Sequence, residues 1–314
     1  MAKYLVTGGA GFIGSNLVRF LLAKKHRVTV LDNFATGKRA NLADVKGRIE
    51  VIEGDIRDGR AVARAIAGAK AVFHEAALGS VPRSVEDPMT SHDVNVNGTV
   101  CVLEAARAAG VKRVIFAASS SAYGDQKVSP KVETMAPAPI SPYAANKIAC
   151  ECYFRAYAAV YGLQTLCLRY FNVFGPYQDP AGAYAAVIPA FVSRLLAGQR
   201  PVVFGDGQQS RDFCFIDNVC QANWLAANAP AGVCRGQALN IACHQQTSLN
   251  QILRQIAKLL KVKVAADYRP PRLGDVKHSL ADVSLARKTI GYVPKVFFEE
   301  GLARSIEWYK ANLK

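Results

Sequence analysis

The stretch "SPYAANK", residues 141–147, sets a phenol at Tyr143 and an ammonium at Lys147 four positions apart. Side chains at that spacing share one face of a helix, and Pro142 suits the first helical position, so the two are expected to point the same way. An ordinary tyrosine ionises near pH 10 and is a poor base in neutral solution. A neighbouring ammonium stabilises the phenolate, and so does the positive ring of an oxidised nicotinamide. Such a pair is a base able to take a proton from an alcohol while hydride leaves the same carbon. The spacing is common on exposed helices, so its surroundings must decide between chemistry and mere surface.

Two other stretches supply those surroundings. In "TGGAGFIG", 7–14, Gly8 allows a tight turn, Gly11 lets a pyrophosphate approach the backbone, and Gly14 lets helix and strand pack closely. The helix that opens there offers its N-terminus to phosphate charge. Asp32 ends the next predicted strand, where a carboxylate binds both hydroxyls of an adenosine ribose and repels a ribose phosphate, which favours NAD over NADP. Lys38 and Arg39 come soon after and would suit that phosphate. Asp55, in "GDI", is either an adenine-side residue at the end of the third strand or the N-cap of a helix beginning near Asp58. Ser119, Ser120 and Ser121 end the fifth predicted strand, where hydroxyls can hold a substrate oxygen beside the phenol.

The elements that position these groups are set by periodicity. Strands are expected at 3–7, 27–32, 49–54, 71–75, 113–119 and 165–171, with helical spacing between most of them. That alternation implies βαβ units, a parallel sheet and helices on both faces, the doubly wound α/β class. After Phe171 the rhythm breaks into "NVFGPYQDPAGAYA", then a helix near 187–197, a strand near "PVVFG" and a helix capped by Ser248. We therefore expect a Rossmann dinucleotide-binding domain over 1–171. A smaller α/β substrate domain is expected mainly over 172–314, interleaved with returns to the first.

Composition bounds the remaining possibilities. The 314 residues are 51% apolar and 20% charged, with no apolar run near the roughly 20 residues needed to span a bilayer. The first residues enter a strand at once, so a cytoplasmic protein with no membrane partner is expected. Eight cysteines fall inside regular elements with no C-x-x-C pair and no zinc-ligand spacing, which reads as reduced, mostly buried thiols and no metal. The net charge of +15 is spread along the chain, which suits small polyanionic ligands better than a nucleic-acid groove.

Taken together, "VTGGAGFIGSNL", "GDIRD", "FHEAA", "NVNGT", "SSSAYG", "SPYAANK", "LRYFNVFGP", "GDGQQSRDF" and "RLGDVKHSLAD" resemble the extended short-chain dehydrogenases/reductases, in the branch of nucleotide-sugar epimerases. The resemblance implies that Tyr143 is the base, that Lys147 binds the nicotinamide ribose and tunes it, and that Ser119 assists with Ser120 as helper. It implies NAD contacts from Gly8, Gly11, Phe12, Ile13 and Gly14, from Asp32, Asn33, Asp55 and Ile56, and from Ala76, Ala77, Asn95 and Tyr170. Substrate contacts are implied for Ser80, Arg83, Ser119, Ser121, Tyr143 and Ser279. A nucleotide-diphosphate grip is implied for Asn172, Arg211, Arg272 and Asp275, because arginine forks pair with phosphate oxygens. His74 is expected to be a packing residue rather than a proton shuttle.

Members resembling this chain share oxidation at carbon 4 of a sugar and differ in the fate of the keto intermediate. Dehydratases place an Asp-Glu pair after the serine or threonine, and decarboxylases place a glutamate there; here Ser120 and Ser121 occupy those positions. The expectation is a redox-neutral 4-epimerase on UDP-N-acetylhexosamines, extending to UDP-glucose and UDP-galactose, since Ser279 leaves space beside carbon 2. A UDP-uronate 4-epimerase is the second reading, with Arg83 for the carboxylate. A non-enzymatic NAD-binding regulator is the third, although such proteins typically lose the tyrosine or lysine. A homodimer is expected through helices near 92–109 and 142–161, with Ala144, Ile148, Cys152, Tyr153, Ala156 and Tyr157 on more than one face.

Overall fold

The computed structural model describes residues 1–180, 186–270 and 277–312. Six strands lie where periodicity expects them: β1 (Lys3–Thr7), β2 (Arg27–Asp32), β3 (Glu50–Glu53), β4 (Ala71–His74), β5 (Arg113–Ser119) and β6 (Gln164–Tyr170). A seventh, β7 (Arg235–Ile241), comes from the second half of the chain and pairs parallel with β6. The order β7-β6-β5-β4-β1-β2-β3 is the doubly wound pattern, parallel throughout.

The sheet is buried on both faces, as parallel sheets are. Alternation along β1 sends Tyr4 and Val6 into one core and Leu5 into the other. The first core is covered by α1 (Phe12–Ala23), whose Leu17, Val18 and Leu21 are fully buried. The second is covered by α2 (Gly59–Ile66), α3 (Gly98–Ala108) and α4 (Pro142–Tyr161). Asp58 caps α2 by accepting from Arg60 N, so the cap is Asp58 and not Asp55.

Beyond β6 the chain forms three two-stranded ladders: Val173–Phe174 with Cys214–Phe215, Val202–Phe204 with Asp267–Arg269, and Ser210–Arg211 with Thr247–Ser248. Helices α5 (Val187–Leu196), α6 (Ile216–Asn228), α7 (Leu249–Leu260) and α8 (Phe298–Asn312) accompany them. Ser248 caps α7 in a reciprocal box: its Oγ accepts from Gln251 N, and Gln251 Oε1 accepts from Ser248 N. Helix α6 returns to the main sheet and shares the first core, with Val219, Ala222 and Ala226 fully buried there.

All eight cysteines are unpaired; Cys152 is exposed and Cys101 half-buried, while the other six are buried. No helix among the described residues is long and apolar enough to cross a membrane. On α4, Ala144 and Tyr157 point inward, and Tyr157 donates to Glu104. Tyr153, Val160 and Tyr161 lie outward, 41%, 70% and 53% exposed.

Candidate active site

Both ends of the proposed chemistry meet at the carboxyl ends of the strands, where open α/β sheets bind ligands. The turn after β1 requires glycine at two points. Gly8 holds φ +67, and a Cβ there would lie 2.7 Å from the Ala76 backbone. A Cβ on Gly14 would lie 2.2 Å from the Gly8 carbonyl oxygen, so any side chain would push α1 off the turn. Gly11 precedes α1 without a side-chain cap, which leaves the first amides of a twelve-residue helix open to an anion.

Asp32 closes β2 beside this turn. One carboxylate oxygen accepts from Ala10 N and the other from Phe34 N, each at 2.8 Å. Burial pushes its carboxyl up, and the two amides oppose that shift. A carboxylate has about four acceptor positions, so two remain for a pair of ribose hydroxyls. Lys38 pairs with Asp179 at 2.6 Å and Arg39 with Glu53 at 2.6 Å. Both cations are thus engaged by carboxylates, which fits a ribose without a phosphate.

A cavity lined by Gly8, Gly11, Asp32, Asn33, Ile56, Ala76 and Ala77 joins the turn to the ends of β2, β3 and β4. These residues, the uncapped helix and the two-glycine cradle fit a dinucleotide. Asp55 stands outside the lining. Its carboxylate accepts from Arg57 and from Asn33 Nδ2, and the Arg57 guanidinium holds it down to about 2. Asn95 works from behind the wall: its Oδ1 accepts from Leu78 N at 2.8 Å, fixing the strand end that carries Ala76 and Ala77.

The stretch 141–147 forms the first turns of α4, capped by Ser141, which accepts from Ala144 N. Lys147 Nζ donates to the Ala117 carbonyl at 2.7 Å and lies 5.8 Å from the centre of the Tyr143 ring. The pair shares a face, and β5 anchors its cation. Ser119 ends β5 and caps the short turn Ser120–Tyr123: its Oγ accepts from Ser121 N at 3.1 Å and from Ser121 Oγ at 2.9 Å. The start of α4 is held by a short helix, Val81–Glu86, where Ser80 caps Arg83 N and Ser84 Oγ accepts from Tyr143 N at 3.0 Å. Arg83 is half-buried, with no side-chain hydrogen bond or ion pair among the described residues.

His74 is neutral and structural. Its ring nitrogens lie 2.8 Å from Thr7 Oγ1 and 2.9 Å from Thr99 Oγ1, and burial drives it down to about 3. Tyr170 is buried at the end of β6, with its hydroxyl on Glu75 and Asn223. Sequence reasoning gave Glu75 and Ser84 no role. A glutamate inside the apolar run "AVFHEAA" was the signal that could have found the first; nothing marked the second.

A second cavity, of about 590 Å³, opens beyond β6 and suits a ligand of nucleotide size. It is lined by Asn172, Val187, Phe204, Arg211, Leu249 and Arg269, among others. Asn172 Nδ2 donates to the Asp212 carbonyl and reaches Ser279 Oγ at 3.4 Å. Arg272 and Asp275 lie outside the described residues.

Comparison with known proteins agrees with this geometry. Residues 4–242 match the NAD dependent epimerase/dehydratase family. A UDP-glucose 4-epimerase from Mycolicibacterium smegmatis is 41% identical over 312 residues, covering 98% of each chain. The fold superposes on a UDP-N-acetylglucosamine 4-epimerase from Methanobrevibacter ruminantium M1, solved with UDP-N-acetylmuramic acid, with TM-score 0.94, 37% identity and 99% of both chains covered. It superposes on a UDP-glucose 4-epimerase from Thermotoga maritima, solved with UDP-glucose, with TM-score 0.94, 38% identity, and 99% of this chain and 100% of that one covered. On likeness of that extent the chain belongs to the NAD-dependent epimerase/dehydratase family, among the extended short-chain dehydrogenases/reductases that its motifs resemble.

Proposed function

We propose that this NAD-dependent enzyme inverts carbon 4 of UDP-N-acetylglucosamine and UDP-N-acetylgalactosamine, and of UDP-glucose and UDP-galactose as smaller substrates of the same site. The observation that carries the reading is the serine pair after Ser119. Ser120 and Ser121 stand where a carboxylate would be needed to move a proton at carbon 5. With hydroxyls there, a 4-keto sugar has one productive course, which is to take hydride back on its other face.

Bound NAD supplies the hydride acceptor and then the donor. Tyr143 takes the proton from the carbon 4 hydroxyl and later returns one, with Lys147 keeping positive charge near the phenolate. Ser119 orients the sugar oxygen beside the phenol. Asn172 and Arg211 grip the nucleotide rather than the ring, so the keto sugar can turn while the diphosphate stays in place. The UDP-uronate reading rests on Arg83, whose side chain has no ion-pair or hydrogen-bond partner among the described residues to compete with a sugar carboxylate.

A homodimer through the outer face of α4 completes the proposal. Tyr153, Val160 and Tyr161 leave apolar and aromatic surface exposed on the outer side of this helix. The enzyme, with no NAD added, should be incubated separately with UDP-N-acetylglucosamine, UDP-glucose and UDP-glucuronate, and products identified by proton NMR. The proposal expects carbon 4 epimers from the first two. An epimer from UDP-glucuronate alone would replace it with the uronate reading, and no epimer from any would remove both.

A further inference from the structure

Glu75 is a half-buried residue whose carboxyl the epimerisation mechanism does not use. It comes directly after β4 and lines the dinucleotide cavity with Gly8 and Ala76. Its Oε1 accepts from the Tyr170 hydroxyl at 2.9 Å, whereas Oε2 is buried with no partner among the described residues. The proton positions along this chain are fixed by its far end. Asn223 Nδ2 donates to the Val219 carbonyl at 3.0 Å, which orients the amide, and to Tyr170 Oη at 2.7 Å. The single hydrogen of Tyr170 is therefore committed to Glu75 Oε1. A carboxylate with one oxygen out of reach of water and the other held by one neutral donor is poorly stabilised, whereas a carboxylic acid in the same place carries its hydrogen on Oε2.

We propose that Glu75 must be a neutral acid for the dinucleotide to bind in the cavity it lines, so that NAD is held together with one proton. This rests on the NAD site described above. Charge on Glu75 would instead be set against an anionic pyrophosphate in a site of low polarity. The charged and titratable groups around it are few. Lys147 on α4 is the cation that favours ionisation; Tyr170 on β6 and Cys220 on α6 are neutral neighbours, and His74 on β4 is neutral. Burial outweighs Tyr170 and Lys147 and pushes the Glu75 carboxyl up to about 7.

Proton and cofactor are therefore linked. Below the free-site value the proton is already present, so NAD is bound fully there. Above it each NAD must draw one proton from solvent, and affinity falls about tenfold per pH unit until the value of the loaded site is passed. Glu75→Gln keeps the shape and a neutral donor but cannot ionise.

The test dialyses the NAD-loaded protein at pH 6.0, 7.5 and 9.0 and assays the NAD retained. Native protein should lose its NAD at pH 9.0 and keep it at pH 6.0, while Glu75→Gln should keep it throughout. Tyr170→Phe removes the only donor to the carboxylate among the described residues, so its loss of NAD should move to higher pH than in the native protein. The inference is overturned if native protein and Glu75→Gln lose NAD along the same pH curve, or if Glu75→Gln loses NAD at every pH while circular dichroism shows it folded. Native protein that carries no NAD at any pH would overturn the cofactor site itself, a distinct outcome.

Discussion

Asn172 and Ser279, 107 positions apart in the chain, meet beside the larger cavity with Asn172 Nδ2 3.4 Å from Ser279 Oγ. Ser279 is further held by its own amide, which donates to the Ser210 carbonyl at 3.0 Å. A small side chain is therefore fixed next to the residue that we assign to the nucleotide. Ser279→Tyr should abolish turnover of the N-acetylated pair while sparing UDP-glucose and UDP-galactose. Crowding an acetamido group against a ring costs roughly 1–3 kcal/mol or more, by analogy with overpacked cores. Steady-state rates with both pairs check this; equal loss on both would mean that Ser279 supports the loop and does not gate the acetyl group.

Tyr143→Phe keeps the ring and removes the ionisable oxygen. We expect a loss of about 10²-fold or more in turnover, with NAD still bound, on the scale of a general base. Lys147→Ala should lower the rate, because the phenolate loses its positive neighbour and the Ala117 carbonyl its donor. A native steady-state rate would show that the ammonium is not needed for turnover.

Arg169 and Glu151 form an ion pair at 2.7 Å with side chains 4% and 11% exposed. Glu151→Ala would strand the guanidinium between β6 and α4, where one nitrogen, Nη1, already has no partner among the described residues. The expected loss is about 3–5 kcal/mol of stability. Urea unfolding tracked by circular dichroism measures it, and a loss under about 1 kcal/mol, the scale of a solvated surface pair, would mean that water reaches the site.

These residues also show what the sequence could and could not reveal. The six leading strands were legible because β-branched runs alternate with helical spacing, and β1, β2 and β5 begin and end where expected. Strand β7 was not expected: Gly236 takes φ +78 and the pairing with β6 slips between Arg235 and Ala238, which leaves only a short apolar run to read. The glycine turn, Asp32 and the Tyr143–Lys147 pair are local in sequence and were legible. The chain Asn223–Tyr170–Glu75 was not, because it joins α6, β6 and the end of β4 only after the sheet has formed. Asp55 left two readings open, and Asp58 takes the capping role because its side chain, unlike that of Asp55, accepts from an amide at the start of α2.

The outer side of α4 predicts its own behaviour in solution. Sedimentation should report a dimer, and Tyr153→Asp should shift it toward monomer by placing a charge in a desolvated contact. A native protein that stays monomeric at every concentration would remove the dimer from the proposal.

In the proposed reaction hydride leaves carbon 4 and returns to the same carbon without exchange. UDP-N-acetylglucosamine carrying deuterium at carbon 4 should be incubated with the enzyme and the product examined by NMR. The expected product is UDP-N-acetylgalactosamine with the deuterium retained at carbon 4 and none released to water. Deuterium appearing in solvent, or solvent hydrogen entering carbon 4 or carbon 5, would contradict it.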